Sequence, residues 1–299
     1  MALPFTTVRD LLRFAVSRFT AAELSFGHGS SNAFDEAAYL VLHTLHLPLD
    51  TLDPFLDARL LDTEIDAIMQ VIERRAKDRV PAAYITNEAW MHGHRFYVDE
   101  RVIVPRSFIG ELLDSHFGRH DEGAAGLIDD PARIENVLDL CTGSGCLAVL
   151  ARRNFPNAAI DAVDISKDAL DVAARNIADF GLQERVMLHR GDLFGPIGNK
   201  RYDLIISNPP YVDAAGMAGL PRECRAEPKL AFDGGVDGLD VIRRILDEAG
   251  RHLTPEGGLL CEIGRCRPAL EAAYPKVNFL WLDTEDSEGE VFWIGAADL

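Results

Sequence analysis

"NVLDLCTGSGCLAVLARR", residues 136–153, decides the fold. Asn136 to Leu140 is a short apolar run of buried-strand type. A turn of small residues follows, and a helical pattern opens near Cys146. Gly143 and Gly145 let the backbone approach a ligand where a Cβ would collide, and Asp139 stands at the end of the strand. A Gly-x-Gly after a strand suits a dinucleotide, a nucleotide or a tight turn alone, so the neighbouring segments must choose among them.

Downstream, the runs "AAIDAVD", "RVMLH", "YDLIIS" and "GGLLCEI" alternate with helical stretches such as "SKDALDVAARNIADFG", where Gly181 stops the helix. Strand–helix alternation of this kind predicts βαβ units and a parallel, Rossmann-like α/β sheet. The last two runs, "VNFLWLD" and "EVFWIGA", are separated only by a short acidic loop and read as an antiparallel hairpin on the sheet edge.

Upstream, three helices are expected. Val8, Leu11, Leu12, Ala15 and Phe19 mark one face; Ala37, Leu40, Val41 and Leu45 mark a second, after an Asn32 cap. Ile65, Ile68, Met69, Ile72 and Ala76 follow Asp62 on a third, with Pro81 beyond its end. Arg95–Val98 and Arg101–Val104, around Asp99-Glu100, read as the strands of a β-hairpin. The division expected is a helical substrate-recognition domain over 1–88, a connecting hairpin over 89–106 and the α/β domain over 107–299. Within the last, a helix from Ser107 to Phe117 precedes a polar, glycine-containing loop, "GRHDEGAAGLIDDPARIEN". His92 and His94 flank Gly93 without a third ligand nearby and read as a turn, not a metal site.

Composition narrows the function. Asp and Glu number 48 against 30 Lys and Arg, a net charge of −18. Such a field repels phosphate backbones and attracts basic partners, so stable binding of naked nucleic acid is not expected. Five scattered cysteines suit a reducing compartment and do not form tight metal-binding pairs. No apolar run approaches the roughly 20 residues that cross a bilayer, and "MALPFTTVRDLLRF" lacks the features of a signal peptide. A cytoplasmic protein without a membrane is expected.

Acids at successive strand ends select the ligand. Asp164 closes "AAIDAVD", where a carboxylate can accept from the hydroxyls of an adenosine ribose or cap the helix that opens at "SKDAL". "HRGDLF" places Asp192 and Leu193 where an adenine amino group and ring face can be held. The third glycine of a dinucleotide fingerprint is missing, since "GSGCLA" supplies Ala148, and there is no Gly-Lys-Ser/Thr phosphate loop. S-adenosylmethionine fits better. It has no phosphate to cradle, and acidic strand ends suit its positive charges.

"YDLIISNPPYV", residues 202–212, supplies the chemistry. Asn208 emerges at the carboxyl edge of the sheet, where open α/β folds hold ligands. Its side-chain carbonyl can accept one N–H of a planar –NH₂ group and the carbonyl of Pro209 the other, while Tyr211 lies against the plane. Pro209 and Pro210 stiffen the loop and carry no N–H to compete for the substrate. Such a clamp suits methylation of an amide or exocyclic amine, a poor nucleophile that gains most from being held in line with the methyl group.

Together, "DLCTGSGCLA", "VDIS", "GDLF", "SNPPYV" and "EPKLAFDGGVDGLD" resemble the N(5)-glutamine protein methyltransferase family, which acts on glutamine side chains of translation proteins. The likeness runs over nearly the whole chain, including "VDERVIVPR" and "EGEVFWIG". It implies a class I S-adenosylmethionine-dependent fold, with Cys141, Thr142, Gly143, Ser144, Gly145 and Asp164 around the cofactor. It further implies that Asn208 faces both ligands and that Asn208 to Tyr211 hold the glutamine. Cys141, Cys146 and "VPRSFIGEL" resemble the branch that methylates large-subunit ribosomal protein three, a basic substrate, rather than the release-factor branch. Cysteine at 141 is acceptable if its φ stays negative. Arg106 has two readings, orienting a substrate carbonyl or cofactor carboxylate, or pairing with Glu111. "ECRAEPKLAFDGGVDG" reads as a lid, in which Glu227 steers a basic partner or is a surface acid. The rivals are glutamine methylation of release factors, and methylation of an exocyclic amine in RNA or DNA after base flipping. A non-enzymatic adaptor of the same fold would require loss of cofactor binding.

Overall fold

The computed structural model describes residues 5–27, 29–117, 127–128 and 130–299. Most of the loop quoted above as "GRHDEGAAGLIDDPARIEN" lies outside these.

The helices at the start form where the apolar spacing puts them. α1 (Val8–Ala21) begins at a Thr7/Asp10 capping box, and α2 (Ala33–Thr44) begins at Asn32, whose side chain accepts from the amides of Phe34 and Asp35. α3 (Asp62–Ala76) and a short α4 (Ala82–Thr86) complete the group. Val8, Leu11, Leu12, Ala15, Phe19, Ala37, Leu40, Val41, Ile68 and Ile72 bury their side chains together. Two residues break the pattern: Glu36 of α2 and Arg75 of α3 are fully buried.

β1 (Glu88–Met91) and β2 (His94–Tyr97) pair antiparallel. This corrects the expected hairpin, whose second strand was placed at 101–104. The chain reverses at His92-Gly93, where both residues have positive φ (47° and 72°) as a two-residue turn requires. At 99–101 the Asp99 carboxylate instead accepts from the Arg101 amide and guanidinium and from the Tyr97 hydroxyl, closing a local turn. Val102 and Val104 are buried beyond it without forming a strand, packed with Tyr84, Val98 and Val172.

After α5 (Ile109–Ser115) come β3 (Asn136–Leu140), α6 (Cys146–Asn154), β4 (Ala159–Asp164), α7 (Lys167–Asp179) and β5 (Val186–Arg190). β6 (Tyr202–Ser207), α8 (Ala214–Gly219), α9 (Asp240–His252), β7 (Leu253–Glu262), α10 (Arg267–Ala273), β8 (Leu280–Leu282) and β9 (Val291–Gly295) follow. The sheet order is β5-β4-β3-β6-β7-β9-β8. It is parallel from β5 to β7, and the expected β8–β9 hairpin forms its antiparallel edge. Alternation along β3 sends Val137 into a core shared with α5, α6 and α7, and Leu138 and Leu140 into a second core shared with α9 and α10. The chain runs outward from β3 through β4 to β5 and returns to β6 on the other side of β3, so the strand order reverses between β3 and β6. A crevice at the carboxyl ends of the strands opens at such a point.

Candidate active site

Register brings the predicted residues to that crevice. Leu140 pairs with Val163 on one side and with Ser207 on the other. The next residue of each strand, Cys141, Asp164 and Asn208, therefore leaves the sheet edge side by side. Asp164 in turn pairs with Arg190, and the amide of Gly191 donates to the Asp164 carbonyl at 3.0 Å, which places Asp192 next in the row.

These residues border a cavity of about 560 Å³. Of the sequence candidates, Cys141, Thr142, Gly143, Ser144, Asp164, Asp192, Leu193, Asn208, Pro209, Pro210 and Tyr211 line it. Asp139 and Gly145 do not. Asp139 is wholly buried behind the turn and accepts from the Thr142 hydroxyl at 2.5 Å. Its other oxygen has no partner among the described residues. Burial, reinforced by the nearby Asp164, raises its pKa to about 7. Gly145, at φ 78°, caps α6, and a Cβ there would press on Ala173 of α7 at 3.2 Å, so its glycine serves close helix packing.

Gly143 is different. At φ 55°, a Cβ built on it meets nothing nearer than the Cys141 carbonyl at 4.0 Å, because the residue faces open space. Its amide donates to Asp164 Oδ2 at 2.9 Å, and Asp164 Oδ1 accepts the Ser166 amide at 2.9 Å. The helix cap is thus Ser166, not Asp164. Burial raises the pKa of Asp164. Asp192 pairs with Arg244 at 2.8 Å. Cys141 corrects an expectation: its φ is +61°, not negative. The turn keeps the left-handed geometry that a glycine would adopt freely, at a cost of about 1–2 kcal/mol. Burial, then the charge of Asp164, pushes its thiol pKa up, so the group is a neutral wall rather than a nucleophile.

Asn208 is half-buried, and its side chain makes no hydrogen bond among the described residues. Pro209 is buried beside it. The Tyr211 hydroxyl donates to Glu262 Oε1 at 2.7 Å, and its ring lies where a Cβ on Gly264 would come within 2.5 Å. Glu262 was not singled out in the sequence. It closes β7, is 1% exposed, and also accepts from the Ser107 hydroxyl at 2.6 Å and the Phe108 amide at 3.0 Å. An acid ending an otherwise apolar strand, "GGLLCE", is the signal that could have found it.

The far wall comes from elements that periodicity does not connect: Phe26 and Gly27 beyond α1, Val102 to Ser107 after the hairpin, and the stretch from Leu220 to Phe232. Arg106 pairs with Glu227, at 3.0 and 3.2 Å, and not with Glu111, which accepts instead from the Glu285 amide. Glu227 is no surface acid. It is 5% exposed and also accepts the Val104 amide at 2.9 Å. The predicted lid is therefore fastened.

Comparison with known proteins follows the same lines. Residues 116–219 match the methyltransferase small domain. Over 293 residues the chain is 64% identical to a protein of Bradyrhizobium diazoefficiens named ribosomal protein uL3 glutamine methyltransferase, covering 98% of this chain and 92% of that one. Proteins of the same name from Burkholderia pseudomallei and Bordetella pertussis are 60% and 55% identical. Those matches cover 99% and 95% of this chain, and 96% and 93% of the relatives.

Proposed function

The chain belongs to the family of ribosomal protein uL3 glutamine methyltransferases, and from that membership we propose that it transfers a methyl group from S-adenosylmethionine to the side-chain amide nitrogen of a glutamine in uL3. The observation that carries the chemistry is the pairing of Leu140 with Ser207, which seats the Asn208 amide, without a hydrogen bond among the described residues, beside the turn at Cys141.

The residues fit the cofactor. Gly143 leaves space in front of its backbone, two carboxylates stand in a row at Asp164 and Asp192, and Leu193 offers an apolar face. Thr142 and Ser144 complete that side, braced from behind by Asp139. S-adenosylmethionine, when bound, supplies an electrophilic methyl group. Asn208 Oδ1 accepts one hydrogen of the substrate –NH₂ and the Pro209 carbonyl the other, which orients the nitrogen lone pair and stabilises the charge that develops on nitrogen. Tyr211, held by Glu262, walls the amide. After transfer the nitrogen carries a proton acidic enough to leave without a strong base nearby.

A net charge of −18 suits a basic ribosomal protein and opposes stable binding of naked nucleic acid. Among the described residues, no helix is long and apolar enough to cross a membrane. We read the work as cytoplasmic and residues 1–88 as the part that meets the substrate protein, joined through 89–106 to a methyltransferase domain over 107–299. The test is transfer of labelled methyl to purified uL3, a peptide release factor and unmodified ribosomal RNA side by side, with the label mapped. Label on a uL3 glutamine alone is expected. Label on the release factor keeps the amide clamp and changes the substrate; label only on RNA overturns the reading.

A further inference from the structure

The stretch from Leu220 to Phe232 walls the substrate end of the cavity, and two of its carboxylates are buried without lining it. Glu227 holds the wall to Val104 and Arg106. Glu223, 1% exposed, holds it to the helices at the start of the chain. Its Oε1 accepts from Arg79 Nη1 at 3.0 Å, from the Ser25 amide at 3.3 Å and from Arg75 Nη1 at 3.4 Å. Arg75 also donates to Glu36 Oε1 at 2.6 Å and to the Ser25 carbonyl at 2.9 Å.

A buried arginine and two buried glutamates, joined by the half-buried Arg79, are a costly way to hold surfaces together, since apolar side chains serve stability as well or better. Ionic hydrogen bonds add fixed directions instead. Here they bind both sides of one gap. Ser25 precedes Phe26 and Gly27, which line the cavity, and Glu223 precedes Cys224, which lines it from the opposite wall. The cofactor-side residues Gly143, Asp164 and Asp192 make no hydrogen bond to this cluster.

We propose that Glu223 is the positioning residue through which the N-terminal helices set the gap between Phe26–Gly27 and the 220–232 wall, and so govern entry of the glutamine-bearing polypeptide but not of the cofactor. The proposal rests on the methyl-transfer reading above. Two variants test it: Glu223→Gln, and the charge-balanced pair Glu223→Leu with Arg79→Met. In Glu223→Gln, cofactor Kd stays within about twofold while KM for uL3 rises about tenfold or more, with kcat at saturation changed far less. Amide exchange quickens over 220–232 and not over 136–164. The double variant regains thermal stability but keeps the raised KM. Recovery of KM together with stability, or an unchanged KM in both variants, overturns the proposal and leaves a structural ion cluster. Should the wild type fail to methylate uL3, the function fails on its own account, and exchange still decides: equal rates over 220–232 in wild type and variants overturn the coupling.

Discussion

The Tyr211 phenol donates to the buried carboxylate of Glu262, so the last residue of the Asn208–Tyr211 loop, which leaves β6, is anchored to the neighbouring strand β7 and not to its own. Because Glu262 also receives Ser107 and the Phe108 amide, one carboxylate ties the loop to the segment after the hairpin. Tyr211→Phe removes one of three donors from a carboxylate that burial already disfavours, and a loss of about 1–3 kcal/mol is expected in denaturant unfolding. Glu262→Ala orphans all three donors and should cost more than Tyr211→Phe. Equal costs for the two would show that Ser107 and Phe108 find other partners.

Asn208 predicts the opposite division. Its side chain makes no hydrogen bond among the described residues, so Asn208→Ala should leave stability within about 0.5 kcal/mol. Transfer should fall by about a hundredfold or more, as for loss of a preorganised polar group facing the reacting centre. Melting curves and single-turnover transfer on the same preparation check both halves. Unchanged turnover would remove Asn208 from the clamp.

Asp139 gives a pH dependence. Its carboxyl pKa is raised from 3.8 to about 7 in the folded chain. The folded state therefore holds a proton that the unfolded state has lost between these values. Stability from this group is full below about pH 4 and declines as pH rises toward 7, because the unfolded state binds fewer protons across that window. Asp139→Asn should flatten this part of the stability curve, measured as melting temperature against pH. A slope identical to wild type would mean that Asp139 ionises normally.

The sheet was legible because period and punctuation agreed: apolar runs bounded by Gly181, the Asn208–Pro210 turn and the small-residue turn gave each parallel strand its place. The row of Cys141, Asp164, Asp192 and Asn208 along the sheet edge was legible for the same reason, since strand ends are fixed by the strands. The hairpin failed where two stretches both looked extended and only the His92-Gly93 turn had the backbone freedom to reverse the chain. Arg75, Glu223, Glu227 and Glu262 were not legible as buried. Nothing local marks a charge as interior when the partner that permits burial lies more than a hundred residues away, as for Arg75–Glu223, Arg106–Glu227 and Ser107–Glu262.

Cys141 tests the turn itself. At φ 61° a side chain is strained by about 1–2 kcal/mol, whereas glycine relieves that strain and loses about as much through the freer unfolded chain. Cys141→Gly should melt within a few degrees of wild type and retain cofactor binding. Cys141→Val places a β-branched residue where the backbone barely tolerates one and should melt clearly lower. A wild-type melting point for the valine variant would show that the turn shifts to negative φ, and the cradle at Gly143 would need redrawing.

Charge should separate the two ligands by their response to salt. The field of −18 reaches a basic protein over distances comparable to the Debye length, about 10 Å at 0.1 M and about 3 Å at 1 M salt. The cofactor contacts proposed at Asp164, Asp192 and Leu193 lie inside the cavity, at short range, where salt screens less. Raising salt from 0.05 to 0.5 M, roughly a threefold shortening of that length, should weaken uL3 binding strongly through its association rate. Cofactor Kd should move little. Stopped-flow association and equilibrium titration at matched salt check this, and equal sensitivity of both ligands would mean that the acidic surface serves solubility rather than substrate capture.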